Sequence, residues 1–213
     1  MSTATIFDAK YATRDPWGIA GYQRRTRALA AIVAPHIRGK RLLELGCGEG
    51  HMATTVFRGA AWITGVDISA VAIARAPRLP NAEYLVGDQR TQSLIGYHVV
   101  SAIECLHYLA PTERDDFFAR LSREHRGTFL MMTAIEDGGA YFTHAEVLDA
   151  FARHGLKLIL WRNVYANRRP GAGLIAATAS RLPGVRHIAA AMPKHFVCHR
   201  AYVALNQQLK QEG

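Results

Sequence analysis

Short apolar runs alternate with amphipathic stretches along most of the chain. The apolar runs predict strands, because such runs are typical of strands that are buried on both faces of a sheet. We predict strands at residues 41–45, 61–66, 82–86, 98–103, 128–133, 157–161 and 196–205. We predict helices at residues 22–37, 51–57, 70–75 and 143–153, with one more that has Thr112 as its N-cap. This alternation predicts an α/β protein with a parallel sheet covered by helices on both faces.

The overall composition is that of an ordinary globular domain. The 213 residues are 49% hydrophobic and 20% charged, which suits one domain with a single core. No run approaches the roughly 18 apolar residues that a membrane helix needs. Residues 1–13 lack the charged and then apolar pattern of a signal peptide, so we expect a cytoplasmic protein. The three cysteines have no metal-ligand spacing, and we expect no metal.

A glycine-rich turn follows the first predicted strand. Glu44 stands two residues before Gly46, and Gly48 and Gly50 follow at alternate positions. The dinucleotide fingerprint would place its third glycine at position 51, which is His51 here. A diphosphate favours backbone N–H groups without a neighbouring carboxylate, whereas an acid suits the ammonium of a methionine tail. The spacing therefore favours S-adenosylmethionine over NAD.

Two further acids end the next two predicted strands. Asp67 lies 21 positions after Gly46, where a carboxylate can accept hydrogen bonds from both ribose hydroxyls. Asp88, preceded by Gly87, can accept a hydrogen bond from an adenine amino group. In sheets of this type, ligands bind beyond the carboxyl ends of the strands, so these acids are candidate binding residues.

Four segments together resemble the class I S-adenosylmethionine-dependent methyltransferases: residues 43–50, 66–69, 87–88 and 99–109. The resemblance implies a Rossmann-like, seven-stranded, mostly parallel sheet with an antiparallel last strand. It also implies S-adenosylmethionine as the methyl donor and S-adenosylhomocysteine as its product. The cofactor residues that we predict in this core are Glu44, Gly46, Cys47, Gly48, Gly50, Asp67, Ile68, Asp88, Gln89 and Ile103.

The N-terminal arm is similar to that of the NodS-like subgroup of small N-methyltransferases, whose nodulation member acts on an amino sugar. The similarity rests on Asp15-Pro16-Trp17, Tyr22 and Arg25, and it fades after about residue 135. It implies that Trp17, Tyr22 and Arg25 face the site, with Arg25 pairing the methionine carboxylate. A solvated arginine and a tryptophan that only packs the arm are the alternatives. Within one domain we expect a lid at residues 1–38, a cofactor core at 39–162, a basic insertion at 163–195 and a last strand at 196–205.

Candidate acceptor residues follow the fourth strand. Glu104 and His107 are three positions apart, so one helical turn would place them on the same face. We predict His107 as the base and Glu104 as an orienting residue or ammonium anchor. A partly buried histidine bonded to the backbone is the other interpretation of His107. Further predicted substrate contacts are Tyr22, Tyr108, His144, Arg168 and Arg169.

The net charge of +9 is concentrated late in the chain. Residues 163–195 contain no Asp or Glu but hold five basic residues, which are Arg168, Arg169, Arg181, Arg186 and Lys194. This insertion could grip an anionic acceptor, rest on an anionic membrane surface, or form a solvated loop. The sequence leaves these three interpretations open.

The sequence favours methyl transfer to an amine of a small molecule or an amino sugar. An O-methyltransferase acting on a sugar or a lipid-linked glycan is the alternative. A nucleic-acid methyltransferase is not favoured, because residues 103–106 lack the Asn/Asp-Pro-Pro-Tyr/Phe segment of exocyclic amino-group enzymes. A cofactor-binding protein without catalysis is a fourth hypothesis.

Overall fold

Strands and helices alternate from Arg41 onward, as predicted. The computed structural model describes residues 2–135, 141–166 and 198–206. The strands are β1 (Arg41–Leu45), β2 (Trp62–Asp67), β3 (Ala82–Val86), β4 (Val99–Ile103), β5 (Thr128–Ile135), β6 (Leu156–Ala166) and β7 (Cys198–Asn206). The helices are α1 (Thr3–Lys10), α2 (Gln23–Ile37), α3 (His51–Thr55), α4 (Ala70–Ala74), α5 (Pro111–Glu124) and α6 (His144–Arg153). The chain divides into two compact units, Met1–Ile103 and Glu104–Gly213.

In the first unit, four parallel strands have the order β3-β2-β1-β4. Leu45 at the end of β1 lies beside Val66 of β2 and Ala102 of β4. All five residues of β4 are buried, which confirms a strand covered on both faces. Because parallel strands end at the same edge, the glycine turn, Asp67 and Ile103 come to one edge of this sheet.

The buried residues of helix α2 lie on one face of the helix. Arg25, Leu29, Val33 and Ile37 are its buried residues, each four positions after the last. Residues four apart lie on one face of a helix, so this spacing explains why the predicted helix forms. Pro35 lies inside the last turn and does not end the helix, which continues to Ile37.

In the second unit, three antiparallel strands have the order β5-β7-β6. Buried rings of α5, α6 and β5 pack edge to face around Phe118, which lies 5.8 Å from Phe151 and 6.1 Å from Phe129 between ring centroids. Thr143 caps α6 as predicted, since its side chain accepts from the Glu146 N–H.

Two details of this unit differ from the sequence prediction. Helix α5 begins at Pro111, so Thr112 is not its N-cap; Pro at the first helical position has its φ already set for a helix. Strand β6 continues to Ala166, well beyond the predicted residue 161, because β7 pairs with it along that length. Residues 163–166 of the predicted insertion are therefore strand, and Arg168 and Arg169 lie outside the described residues. Across the described ranges, no helix is long and apolar enough to cross a membrane.

Candidate cofactor and acceptor sites

The glycine turn after β1 is built from left-handed backbone. Gly46, Gly48 and Gly50 have φ angles of 66°, 55° and 75°, a region that side chains with a Cβ rarely adopt. A Cβ at Gly48 would also collide with the hydroxyl group of Tyr11. The turn is tied to the sheet by the Cys47 N–H, which donates to the Val66 carbonyl at 3.1 Å. The space beside Gly48 is therefore filled by Tyr11 of the arm.

Asp67, at the end of β2, is hydrogen-bonded to this turn. One carboxylate oxygen accepts from the Gly48 N–H at 2.8 Å, and the other accepts from the Ser69 N–H at 2.9 Å. Burial raises the pKa of Asp67, while these two N–H groups act to lower it. The structure therefore places the predicted ribose acid against the predicted glycine turn.

Glu44 is an almost fully buried acidic residue of the first unit. Its side chain is only 1% exposed, and its Oε2 atom has no hydrogen-bond partner among the described residues. Burial, with a smaller contribution from the nearby Asp67 charge, raises the pKa of Glu44 to about 8. A buried carboxyl group of this kind is stabilised in its charged form by a cation, such as an ammonium group.

The remaining predicted cofactor residues of the core lie along the strand ends. Asp88 is bound by its neighbour Arg90, whose Nε donates to both carboxylate oxygens at 2.9 and 3.0 Å. An adenine amino group would thus share the carboxylate with a guanidinium, which the sequence did not predict. Ile103 is buried at the end of β4, and Ile68 and Gln89 are half-buried.

Arg25 is a buried basic residue near the start of α2. Arg25 is 8% exposed, and its guanidinium carbon lies 4.7 Å from the centre of the Tyr22 ring. Across the described part of the chain, Arg25 forms no ion pair with a carboxylate. Trp17 packs its ring against Tyr11, with the ring centroids 5.1 Å apart. The structure thus places Trp17 against Tyr11 and stacks Tyr22 with Arg25, all within the first unit.

Several arm contacts were missed by sequence reasoning. Glu49, inside the glycine turn, accepts from the Asp15 N–H at 2.9 Å and from Arg75 at 3.2 Å. Arg75 also donates to the Tyr11 carbonyl at 2.7 Å. Asp8 of α1 accepts from the Ser69 hydroxyl at 2.6 Å. These contacts dock the arm onto the cofactor motifs, and the acid Glu49 within a glycine turn was the one signal for them.

Glu104 departs from the local geometry that the sequence predicts. It has a φ of 55° and precedes the short 3-10 turn at Leu106–Tyr108, so it does not share a helical face with His107. Its N–H donates to the Met132 carbonyl at 2.8 Å, which fixes its backbone to β5. Its Oε1 atom lies 3.6 Å from Nε2 of His199, a residue that the sequence did not single out.

His107 lies among aromatic rings. Its ring centroid is 4.2 Å from that of Tyr108 and 4.9 Å from that of Tyr141. Arg114 holds the surrounding loop by donating to the His107 and Leu109 carbonyls at 3.0 Å. Tyr108 is 42% exposed, so this aromatic group reaches the surface of the second unit.

His144 is placed apart from Glu104. Its Nδ1 atom forms a hydrogen bond with the Tyr202 hydroxyl at 2.8 Å, and its ring packs on Trp161. Burial, followed by the charge of Arg200, lowers the pKa of His144 to about 4, so the ring is neutral near pH 7. Tyr202 and His199 are three apart on β7 and therefore point to opposite faces. The structure does not bring His144 together with the pair of Glu104 and His199.

Comparison with known families agrees with this architecture. Residues 42–126 match the family described as a methyltransferase domain. That range contains the glycine turn, Asp67, Asp88 and Glu104. No curated protein has a sequence that matches the chain.

Solved structures share the fold over nearly the whole chain. The N-methyltransferase NodS from Bradyrhizobium japonicum WM9, in complex with S-adenosylhomocysteine, is 14% identical with a TM-score of 0.69; the match covers 98% of this chain and 100% of that one. Magnesium protoporphyrin IX methyltransferase from Synechocystis PCC 6803, with bound S-adenosylmethionine, is 12% identical with a TM-score of 0.65, over 97% and 98%. Geranyl diphosphate C-methyltransferase from Streptomyces coelicolor A3(2) is 17% identical with a TM-score of 0.64, over 89% and 82%. The fold is therefore the Rossmann-like fold of S-adenosylmethionine-dependent methyltransferases, with a mixed, seven-stranded sheet.

Proposed function

We propose that the protein is an S-adenosylmethionine-dependent methyltransferase that acts on an amine of a small molecule or an amino sugar. The observation that carries the donor side is the buried Glu44 carboxyl group, whose Oε2 has no partner among the described residues. The ammonium of a methionine tail suits Glu44, and the tail's carboxylate suits the buried guanidinium of Arg25. The left-handed backbone of Gly46, Gly48 and Gly50 forms the tight turn that we assign to the methionine tail.

The remaining binding roles follow from the same reasoning. Asp67 accepts hydrogen bonds from the ribose hydroxyls, and Asp88 with Gln89 contacts the adenine ring. Ile68 and Ile103 contribute apolar surface, and Trp17 covers the ligand from the arm. When bound, S-adenosylmethionine supplies a methyl group that its sulfonium already activates. The protein's task is then to align the acceptor and exclude water.

On the acceptor side, Glu104 follows directly after β4, whose end lies beside the glycine turn. A carboxylate there suits an amine, because positive charge develops on the nitrogen as it gains the methyl group. His107, between Tyr108 and Tyr141, remains our proposed base. Arg168 and Arg169 remain proposed contacts to an anionic acceptor, and contact of the basic insertion with a membrane surface is the alternative.

The test is a screen for S-adenosylhomocysteine production with purified protein. Small amines, amino sugars and their N-acetylated forms are offered side by side with sugars that carry only hydroxyl groups. We expect product with the free amino compounds and none after N-acetylation, which removes the basic lone pair. Activity with the hydroxyl compounds and their acetylated forms would instead favour the O-methyltransferase.

Arg25 provides a separate test of the methionine-tail assignment. We expect Arg25→Gln to weaken the binding of S-adenosylhomocysteine about tenfold in calorimetry, because a charge-assisted contact to the tail carboxylate is lost. Binding of 5′-methylthioadenosine, which has no amino-acid tail, should stay unchanged. Arg24→Gln, at an exposed position one residue earlier in α2, is the matched control. Equal losses for both ligands would contradict the assignment.

A further inference from the structure

A histidine from β7 lies against the carboxylate of Glu104, 95 residues earlier in the sequence. Nε2 of His199 is 3.6 Å from Oε1 of Glu104, and both side chains are largely buried, at 11% and 22% exposure. The pair lies where β5 and β7 meet, since His199 is in register with Ala134 near the end of β5. One oxygen of Glu104 thus faces a ring nitrogen that is fixed in the sheet.

The backbone of Glu104 has a left-handed conformation that a residue with a side chain rarely adopts. Among the described residues, only Asp15 and Glu104 have a left-handed φ without being glycine. Such strained residues persist where the surrounding structure holds them, and they concentrate at functional sites. Here the hydrogen bond from the Glu104 N–H to the Met132 carbonyl holds the backbone, and His199 contacts the side chain of Glu104.

We propose that His199 is a positioning residue, which fixes the direction of the Glu104 carboxylate, the group to which we assign the acceptor amine. The inference rests on the proposed function and specifies its acceptor as a basic amine. The carboxylate would bind the amine and stabilise the positive charge that develops on nitrogen as the N–C bond forms. The S–C bond of the donor would break with its electron pair on sulfur, and the methylated ammonium would then lose its proton to solvent. His199 does not touch the acceptor, and it acts by fixing the direction of the carboxylate. His107, whose ring packs with Tyr108 and Tyr141, keeps the separate role of the proposed base.

Two cofactor analogues test this inference without a known acceptor. S-adenosylhomocysteine has a neutral thioether, whereas sinefungin carries an ammonium group where the transferable methyl would stand. Calorimetry gives the ratio of their affinities for each variant. We expect Glu104→Gln to lower the relative affinity for sinefungin about tenfold, since the carboxylate that we assign to the positive charge at the reacting nitrogen is replaced by a neutral amide. Binding of S-adenosylhomocysteine should change less than twofold, which also shows that the variant is folded.

His199 is tested by a pair of substitutions. His199→Leu, which cannot hydrogen-bond to Glu104, should lower the sinefungin ratio about threefold. His199→Gln should restore it, because its side chain can place an amide N–H group toward the carboxylate. The matched control is His154→Gln, since His154 also contacts a carboxylate of the second unit, Asp115, at 2.8 Å. We expect no change of the ratio in this control.

The outcomes separate the two proposals. An unchanged ratio in Glu104→Gln overturns the assignment of the carboxylate to the acceptor amine, and an unchanged ratio in His199→Leu overturns the positioning role. Equal weakening of both ligands in His199→Leu indicates a structural role only and also overturns it. If the unaltered protein binds neither ligand, the proposed function itself fails.

Discussion

Replacing Asp67 by Ala is expected to weaken the binding of S-adenosylhomocysteine at least tenfold. The substitution removes the carboxylate that we assign to the ribose hydroxyls, and hydrogen bonds to a charged group contribute roughly 1.5–3 kcal/mol. It also leaves the buried Gly48 N–H without its acceptor, which loosens the glycine turn. Titration calorimetry at pH 7 measures the loss, and an unchanged affinity would contradict the ribose assignment.

The ligand series distinguishes Asp67 from the residues assigned to the methionine tail. 5′-Methylthioadenosine retains the ribose, so Asp67→Ala should weaken it as strongly as S-adenosylhomocysteine. Arg25→Gln, in contrast, should affect only the ligand that has the tail. Asp149→Ala removes an exposed acid of α6 and serves as the control for a general loss of negative charge. A loss confined to S-adenosylhomocysteine in Asp67→Ala would place this acid at the tail.

The stability of the unliganded protein is expected to fall as the pH rises from about 5 to about 8.5. The pKa of Glu44 is raised from 4.5 to about 8 in the fold, so the folded state holds a proton that the unfolded state has released. Stability from this group is complete below the unfolded pKa and is lost as the pH passes the folded pKa. The change amounts to several kcal/mol, since one unit of pKa corresponds to about 1.4 kcal/mol. Urea unfolding of Glu44→Gln should show a much smaller slope, to which the raised pKa of Asp67 still contributes.

Ligand binding should remove the proton from the Glu44 carboxyl group. The ammonium of S-adenosylhomocysteine favours the charged carboxylate, so binding at pH 7 should release close to one proton. Calorimetry in phosphate and in Tris, whose ionisation enthalpies differ, measures that proton. Glu44→Gln should give equal heats in the two buffers. Equal heats for the unaltered protein would show that Glu44 does not receive the ammonium.

The core of the fold and its cofactor motifs could be predicted from local patterns. Strands β1 and β3 have the predicted bounds, β4 begins one residue later than predicted, and β2 is shifted by one residue at both ends. The order of these strands along the chain and the acid at the end of each predicted the edge where Glu44, Asp67 and Asp88 are found. Such patterns are readable because a strand covered on both faces needs an apolar run, and a left-handed turn needs glycine.

The partners of the predicted residues could not be predicted in the same way. Arg90 binds Asp88, a contact that the sequence did not predict. Glu49 joins the arm to Arg75, and the only signal for this contact was an acid inside the glycine turn. The expected helical turn that joins Glu104 to His107 was wrong, because the backbone of Glu104 is left-handed. Its contact with His199 depends on the pairing of β5 with β7, which brings together residues far apart in the chain.

The sequence by itself determined the α/β class, the glycine turn and the carboxylates at the strand ends, because each follows from residue type and local spacing. Only the tertiary structure decided how these groups are charged and contacted. Burial raises the pKa of the Glu44 carboxyl group. The arm places the Tyr11 hydroxyl against Gly48. Desolvation and long-range contacts arise when distant segments pack together, so they have no signature in a local pattern.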